Sequence, residues 1–211
     1  VQPVQSVKIV AGVRGDYNSQ MKKYWVDPRL AAFWQINDMF LLKGGAGIYH
    51  QSPDYRQGQL SAKFGNPDLL PEGARQYMIG TEVKFTDAIT MALQLYYKDL
   101  FDQTRSTIST GSSTDVNVES VDLRYTSIGK GRGFGAELLL RHQLTKNFFG
   151  WISYSLSRTE RDYRGGTEWG LSPFDQPHNL VVVASYKLPY DFIVGGKIRY
   201  TSGPLTTPFI G

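Results

Sequence analysis

Three histidines, His50, His142 and His178, are the first place to look for chemistry in a chain of 211 residues that has no cysteine. None stands in an H-x-x-x-H spacing that would put two rings on one metal ion, and none has a Ser and an Asp arranged around it in a nucleophile elbow. The absence of Cys excludes a disulfide scaffold, a cysteine nucleophile and a zinc-thiolate site. The run GKGRGFG (129–135) looks superficially like a phosphate loop. It lacks the G-x-x-x-x-G-K-[ST] spacing and opens a strand pattern instead of a helix, so that reading fails. Glu137 and Arg141, four apart, remain as a candidate ion pair with each other or with something pressed against them. No catalytic constellation emerges. The chain reads as a non-enzyme with no cofactor and no metal site.

Binding chemistry is better represented. A stretch around 51–72 carries Tyr55, Arg56 and Gln57, and a stretch around 161–176 carries Arg161, Tyr163, Arg164 and Trp169. A guanidinium beside aromatic rings suits a small anionic or aromatic ligand. The stretch QTRSTISTGSSTDVNVESV (103–121) is rich in Ser and Thr and is expected to be a mobile loop. The net charge is +4, with Lys and Arg scattered and not clustered, so no nucleic-acid footprint is present.

The elements that must carry these loops are strands. Phe85–Phe101 reads FTDAITMALQLYYKDLF. Ile89, Met91, Leu93 and Leu95 alternate with Thr90, Ala92 and Gln94, and a period of two means a β-strand with unlike faces. The same reading along the chain gives about nine strands, near 4–17, 24–36, 39–50, 73–85, 88–102, 122–144, 148–160, 177–188 and 192–202. Several exceed the ~5–6 residues usual in globular proteins and reach the ~9–11 that a tilted membrane strand needs. Short links (Asn37-Asp38, Thr86-Asp87, Thr145–Asn147, Pro189–Asp191) alternate with links expected to be longer, at 18–23, 51–72, 103–121 and 161–176. Short links at one end and long ones at the other make an up-and-down meander of the outer-membrane kind.

The faces agree. Leu138 and Leu140, Leu180 and Val182, and Val194 and Ile198 continue the apolar row begun by Ile89, Met91, Leu93 and Leu95. The opposite row carries Glu82, Gln94, Glu137, Arg141, Lys197 and Arg199 in mid-strand. A polar lumen accepts such charges and a sandwich core does not. The first row is therefore expected to face lipid and the second a lumen. Phe40, Phe85, Phe148 and Phe192 lie near the short turns, and Tyr17, Tyr97, Tyr154 and Tyr200 towards the long links, as two interfacial girdles would. With 41% hydrophobic residues the chain contains no apolar run of ~18 residues, so any membrane crossing is made by strands. Both ends read as cut. An odd set of strands leaves two open edges that other sequence must pair.

Three ordered motifs sharpen this. The first is Asn66-Pro67-Asp68-Leu69-Leu70-Pro71-Glu72, followed by Tyr77, Gly80, Glu82 and Phe85. The second is Tyr125–Gly129 running into Gly131, Gly133, Gly135 and Glu137. The third is Phe174-Asp175-Gln176-Pro177-His178, leading to Tyr200-Thr201-Ser202-Gly203-Pro204. Together they resemble the C-terminal half of TonB-dependent outer-membrane receptors, with Ser127-Ile128-Gly129 in place of the commoner Asn-x-Gly. The resemblance implies an all-β fold: an antiparallel transmembrane barrel of roughly 22 strands around an N-terminal plug. Residues 1–211 would be a partial barrel domain, without plug, early strands or final strands. It further implies a place in the outer membrane of a Gram-negative bacterium and TonB-energised uptake of a scarce solute such as a ferric siderophore. The implied partners are the lipid bilayer, the remaining barrel and plug, the TonB complex acting through the plug, and a small-molecule or metal-chelate ligand. A passive porin or another outer-membrane barrel, and more distantly a soluble all-β binding module, share the alternation without the ordered motifs.

Overall fold

The computed structural model describes residues 6–54, 66–106, 125–162 and 168–203. Period-two alternation becomes nine long strands: β1 Ser6–Asn18, β2 Lys23–Gln35, β3 Phe40–Gln51, β4 Glu72–Lys84, β5 Ile89–Ser106, β6 Tyr125–His142, β7 Phe148–Asp162, β9 His178–Lys187 and β10 Ile193–Thr201. A short β8, Trp169–Leu171, folds back onto β7 opposite Glu160–Asp162. The long strands pair only with their neighbours, in the order β1-β2-β3-β4-β5-β6-β7-β9-β10, and every pairing is antiparallel.

The short turns are closed by side chains at matching positions. Asn37 Oδ1 accepts from the backbone N–H of Met39 and of Phe40, both at 2.9 Å. Thr86 Oγ1 accepts from Ala88 and Ile89 at 3.2 and 3.0 Å. Thr145 Oγ1 accepts from Phe148 at 3.4 Å. Each side chain replaces a backbone partner that the reversing chain cannot supply. The β9–β10 turn instead places Tyr190 and Asp191 at φ 62° and 63°. The β1–β2 link, expected among the longer ones, is a four-residue turn at 19–22. Asn18 Oδ1 closes it by accepting from Gln20 and Met21. At the same end, β5 runs on to Ser106, past the expected start of the 103–121 loop at 103. A register irregularity beyond Leu100 and a φ of 52° at Asp102 bend the strand there.

Register sorts the side chains onto two faces. Directly paired residues point the same way, so Leu93 shares a face with Thr81 and Leu138, and Leu138 with Tyr154. Leu140, Ile152, Val182 and Ile198 form a parallel row. The opposite face joins Gln94 to Gly80 and Glu137, Arg141 to Thr90 and Trp151, and Arg199 to Val181. The apolar and polar sets of the sequence thus fall on opposite faces without exception. The apolar face is bare. Ile9 is 67% exposed, Ile79 56% and Ile198 68%, while among the described residues only Leu69 and Val83 are buried apolar side chains. A sheet this long with no core of its own has its apolar side turned to something outside the chain.

One expected contact is ruled out by strand geometry. Glu137 and Arg141 are separated by four strand residues at ~3.3 Å each, so their backbones lie about 13 Å apart and the two do not pair. Their cross-strand partners are instead Gln94 and Ser155, and Thr90 and Trp151.

Candidate functional site

The polar face and the rim where the longer links leave the strands hold the side chains with binding chemistry. On the polar face, small residues at Gly12, Ala31 and Gly45 floor a hollow of about 480 Å³ across β1–β6. Its walls carry Arg29, Tyr49, Gln76, Gln94, Tyr96, Lys98 and Glu137. The Arg29 guanidinium lies 4.5 Å from the centre of the Tyr49 ring, and Lys98 Nζ lies 5.3 Å from that of Tyr96. Tyr96 reaches over β6 because position 135 is glycine. A Cβ there would meet the Tyr96 hydroxyl at 2.8 Å and run into the Leu156 carbonyl. The hollow offers two cations, one carboxylate, amides and ring faces, a set that suits a polar, partly anionic surface.

At the rim, the sequence motifs are clamps. Asn66 is 5% exposed. Its Nδ2 donates to the Tyr125 carbonyl at 2.8 Å, and its Oδ1 accepts from Asp68 N–H at 2.9 Å. Leu70 N–H donates to Ser127 Oγ at 2.8 Å, so the serine that departs from the family pattern holds the loop with its hydroxyl. Lys23 Nζ donates to the carbonyls of Asp68 and Leu69. The Asn66–Pro71 segment therefore ties the head of β2 to the head of β6, with Leu69 buried beneath it at 1% exposure. The third motif does the same around β7. Asp175 Oδ1 accepts from Thr159 N–H at 2.6 Å, the Pro177 carbonyl from Ser157 N–H at 2.9 Å, and Ser202 Oγ from His178 N–H at 3.0 Å. Leaving the partners of the buried Asn66 or Asp175 side chains unpaired costs about 1–3 kcal/mol, which is why polar residues stand at these two positions.

A His–Asp contact also sits here. Pro28 brings no N–H, and the β2–β3 ladder ends beside it at Arg29–Gly47. Beyond that point the Asp27 carboxylate takes over, accepting from His50 N–H at 3.2 Å and lying 2.6 Å from His50 Nδ1. The pair bridges β2 and β3 where their ladder has ended. His178 Nδ1 pairs with the Tyr154 hydroxyl at 2.8 Å, and the His142 ring packs edge-on against Phe148 at 4.9 Å. Among the described residues no group of three or more His, Asp and Glu is placed to hold a metal.

Of the ligand candidates, Tyr55, Arg56, Tyr163 and Arg164 lie outside the described residues, as does most of 103–121. Arg161 and Trp169 are described, and they sit on opposite faces. Arg161 pairs with Gly131 and Gly170 on the polar side. Trp169 pairs with Asp162, in step with Glu160 on the apolar side, and Arg132 lies 4.5 Å over its ring.

Sequence reasoning missed a charged row at the top of the apolar face. Arg75, Asp99, Arg132 and Glu160 are successive cross-strand partners on β4–β7. Arg75 meets Asp99 at 2.7 Å, and Arg132 and Arg158 meet Glu160 at 2.5 and 2.6 Å. The signal was available: Arg75 keeps step with Tyr77, Asp99 with Tyr97 and Arg132 with Phe134, so period two carried past the aromatics puts them on the apolar side.

The chain matches the family model described as TonB dependent receptor-like, beta-barrel, over residues 2–208. It belongs to that family. Solved import receptors and an iron transporter share the fold of this segment. The FrpB iron transporter from Neisseria meningitidis is 14% identical with a TM-score of 0.65, over 92% of this chain and 30% of that one. The ferric-catecholate import receptor Fiu from E. coli K12 is 16% identical with a TM-score of 0.63, over 84% and 24%. The ferripyoverdine receptor of Pseudomonas aeruginosa is 16% identical with a TM-score of 0.63, over 83% and 22%. The chain thus spans between about a fifth and a third of the length of these proteins. A search of curated proteins gives no match. For a TonB-dependent receptor barrel, the two faces, the side-chain-closed turns and the clamped rim are the features this segment supplies.

Proposed function

We propose that this chain forms part of the wall and the outer rim of a Gram-negative outer-membrane receptor for TonB-energised uptake of a scarce solute such as a ferric siderophore. The family match along nearly the whole chain carries the reading. The bare apolar face supports it, because lipid is the partner that leaves such a surface stable. On this reading Ile89, Met91, Leu93, Leu95, Leu138, Leu140, Leu180, Val182, Val194 and Ile198 face lipid. Glu82, Gln94, Glu137, Arg141, Lys197 and Arg199 face the lumen. The hollow over Gly12, Ala31 and Gly45 seats the plug, through which the TonB complex acts. Ligand contacts come from the links at the rim: Tyr55, Arg56, Arg161, Tyr163 and Arg164. Trp169 is the weaker member, since its ring packs on Arg132 at the outer side.

The test is uptake by cells carrying the full-length receptor. Dissipating the proton gradient stops accumulation of the ferric chelate and leaves surface binding intact. Accumulation that continues without the gradient would mean a passive pore.

A further inference from the structure

The polar face carries its charges unevenly. On β1–β6 acids stand among the cations: Glu82 and Glu137 share the face with Lys43 and Lys98, and Arg14 is paired with Asp16. On β7, β9 and β10 the same face is made of the odd-numbered residues, Phe149 to Arg161, Asn179 to Lys187 and Ile193 to Thr201, and neither Asp nor Glu is among them.

Across the foot of this half, Arg141, Trp151, Val183 and Lys197 are successive cross-strand partners, with Arg199 two residues above Lys197. Three strand spacings put the Arg141 and Lys197 backbones about 14 Å apart. Other lysines at this end are neutralised in their turns, Lys84 by Asp87 at 2.8 Å and Lys187 by Asp191 at 2.6 Å. Arg141, Lys197 and Arg199 are exposed, and among the described residues none of them has an ion-pair partner. Arg141 has strands on both sides, and its neighbours there, Thr90 and Trp151, are uncharged. Charges that serve the sheet alone are balanced, as Arg75 is by Asp99 and Arg132 by Glu160 on the other face. Above the three cations β7 raises a column of hydroxyls, Ser153, Ser155, Ser157 and Thr159, at intervals of about 6.6 Å, ending beneath Arg161 at the rim.

We propose that the polar face of β7–β10 is a lane for an anionic solute, leading from Arg161 at the rim to Arg141, Lys197 and Arg199 at the foot. The proposal rests on the receptor reading above and gives the solute a class: a metal chelate of net negative charge, with carboxylate or phenolate oxygens outermost. Guanidinium and ammonium groups attract such oxygens, and hydroxyls donate to them in passing. A wall without carboxylates does not repel the chelate, and low-dielectric surroundings strengthen its field. The hollow that seats the plug lies on β1–β6, away from β7–β10. Glu137 faces the edge of the lane beside Ser155.

The experiment has two arms, both on the full-length receptor. In the first, purified receptor carrying Ser153→Cys reacts with sulfonatoethyl or trimethylammonioethyl methanethiosulfonate, an anionic and a cationic thiol reagent. Each rate is divided by the reagent's rate with a free small thiol. At low salt the anionic reagent is favoured at least about fivefold. R141Q/K197Q/R199Q brings the ratio near one, and none of these side chains has a partner to lose; R141K keeps the ratio, and K8Q on β1 leaves it unchanged. A ratio near one in the unaltered receptor, or an unchanged ratio in the triple variant, overturns the proposal. Reaction with neither reagent also overturns it, since the plug would then fill the lane. Should the triple variant not fold, R141Q alone carries the test.

In the second arm, cells take up radioactive iron as a triply anionic ferric tricatecholate or as a neutral ferric trihydroxamate. The triple variant slows uptake of the anionic chelate at least about fivefold while surface binding is unchanged. Equal slowing of both chelates, slowing of neither, or uptake of the neutral one alone by the unaltered receptor overturns the lane. Uptake of neither chelate, with the reagent ratio as expected, marks failure of the siderophore reading and leaves the anion lane standing.

Discussion

Placing a lysine at Leu93 and, separately, at Gln94 asks the sheet which way it faces. The two positions are adjacent on β5 and differ only in side. Leu93 lies four residues above Ile89, where β5 begins. At about 2.5 Å of height per residue that is roughly 10 Å into an apolar band about 25 Å tall, close to its middle. Its cross-strand neighbours are Thr81 and Leu138, neither able to pair an ammonium. Leu93→Lys therefore costs about 2–4 kcal/mol. Gln94 lies between Gly80 and Glu137. Gln94→Lys places its ammonium on the polar face beside the Glu137 carboxylate, and the change stays within about 0.5 kcal/mol. The assay is equilibrium unfolding of the full-length receptor from phospholipid vesicles in guanidinium, read from the midpoint at constant slope. Equal costs, or a larger cost at Gln94, would refute the assignment of faces.

Other consequences follow from the rim and the turns. Asn66→Ala removes the bonds to Tyr125 and Asp68, and limited proteolysis should open the 66–71 clamp with a loss of about 1–3 kcal/mol, while Asn66→Asp recovers only the bond to Asp68. Asp175→Ala should likewise free the Thr159 N–H and speed its hydrogen exchange, leaving the 66–71 clamp unaffected. Gly135→Val should displace Tyr96 and strain the β6–β7 contact at Leu156, costing on the order of 1–3 kcal/mol in the same unfolding assay. In the β4–β5 turn, the hydrogen bond from Lys84, reinforced by its charge, holds the Asp87 carboxyl below the usual carboxylate range. A lowered folded pKa gives a contribution present above the ordinary carboxylate value and lost as pH falls through the lowered one. Lys84→Met should raise the Asp87 midpoint measured by carbon-detected NMR back to the ordinary value.

The sequence made the faces legible because a strand has one strict rule, alternation, and it held from Ile89 through Leu95 and on every strand beside it. Turn chemistry was as readable: Asn37, Thr86 and Thr145 sit where a side chain must close the reversal. Less visible was anything that depends on how far a strand continues past its apolar band. The β1–β2 link looked long because Asn18–Lys23 is polar, although Asn18 folds it into a tight turn. β8 lay hidden in a loop because three residues are too few to show a period. The arginine row was missed although Arg75, Asp99, Arg132 and Glu160 fall inside the expected strands, because the two faces were followed only through mid-strand; register keeps these charges in step with Tyr77, Tyr97 and Phe134. Glu137 and Arg141 invited a helix-style pairing that strand rise forbids. The ligand contacts proposed at Arg161 and Trp169 depend on which side of β7 and β8 each falls, and composition carries no information about that.

The most direct measurement is a cysteine scan along β5 and β6, in which this segment adds no native thiol of its own. Single cysteines at 91–95 and 137–141 of the full-length receptor in vesicles would be labelled and challenged with brominated acyl chains. Quenching at 91, 93, 95, 138 and 140, with water-soluble thiol reagents reaching only the positions between, is the predicted result. Quenching that ignores the alternation, or that peaks at 94 and 137, would contradict the account.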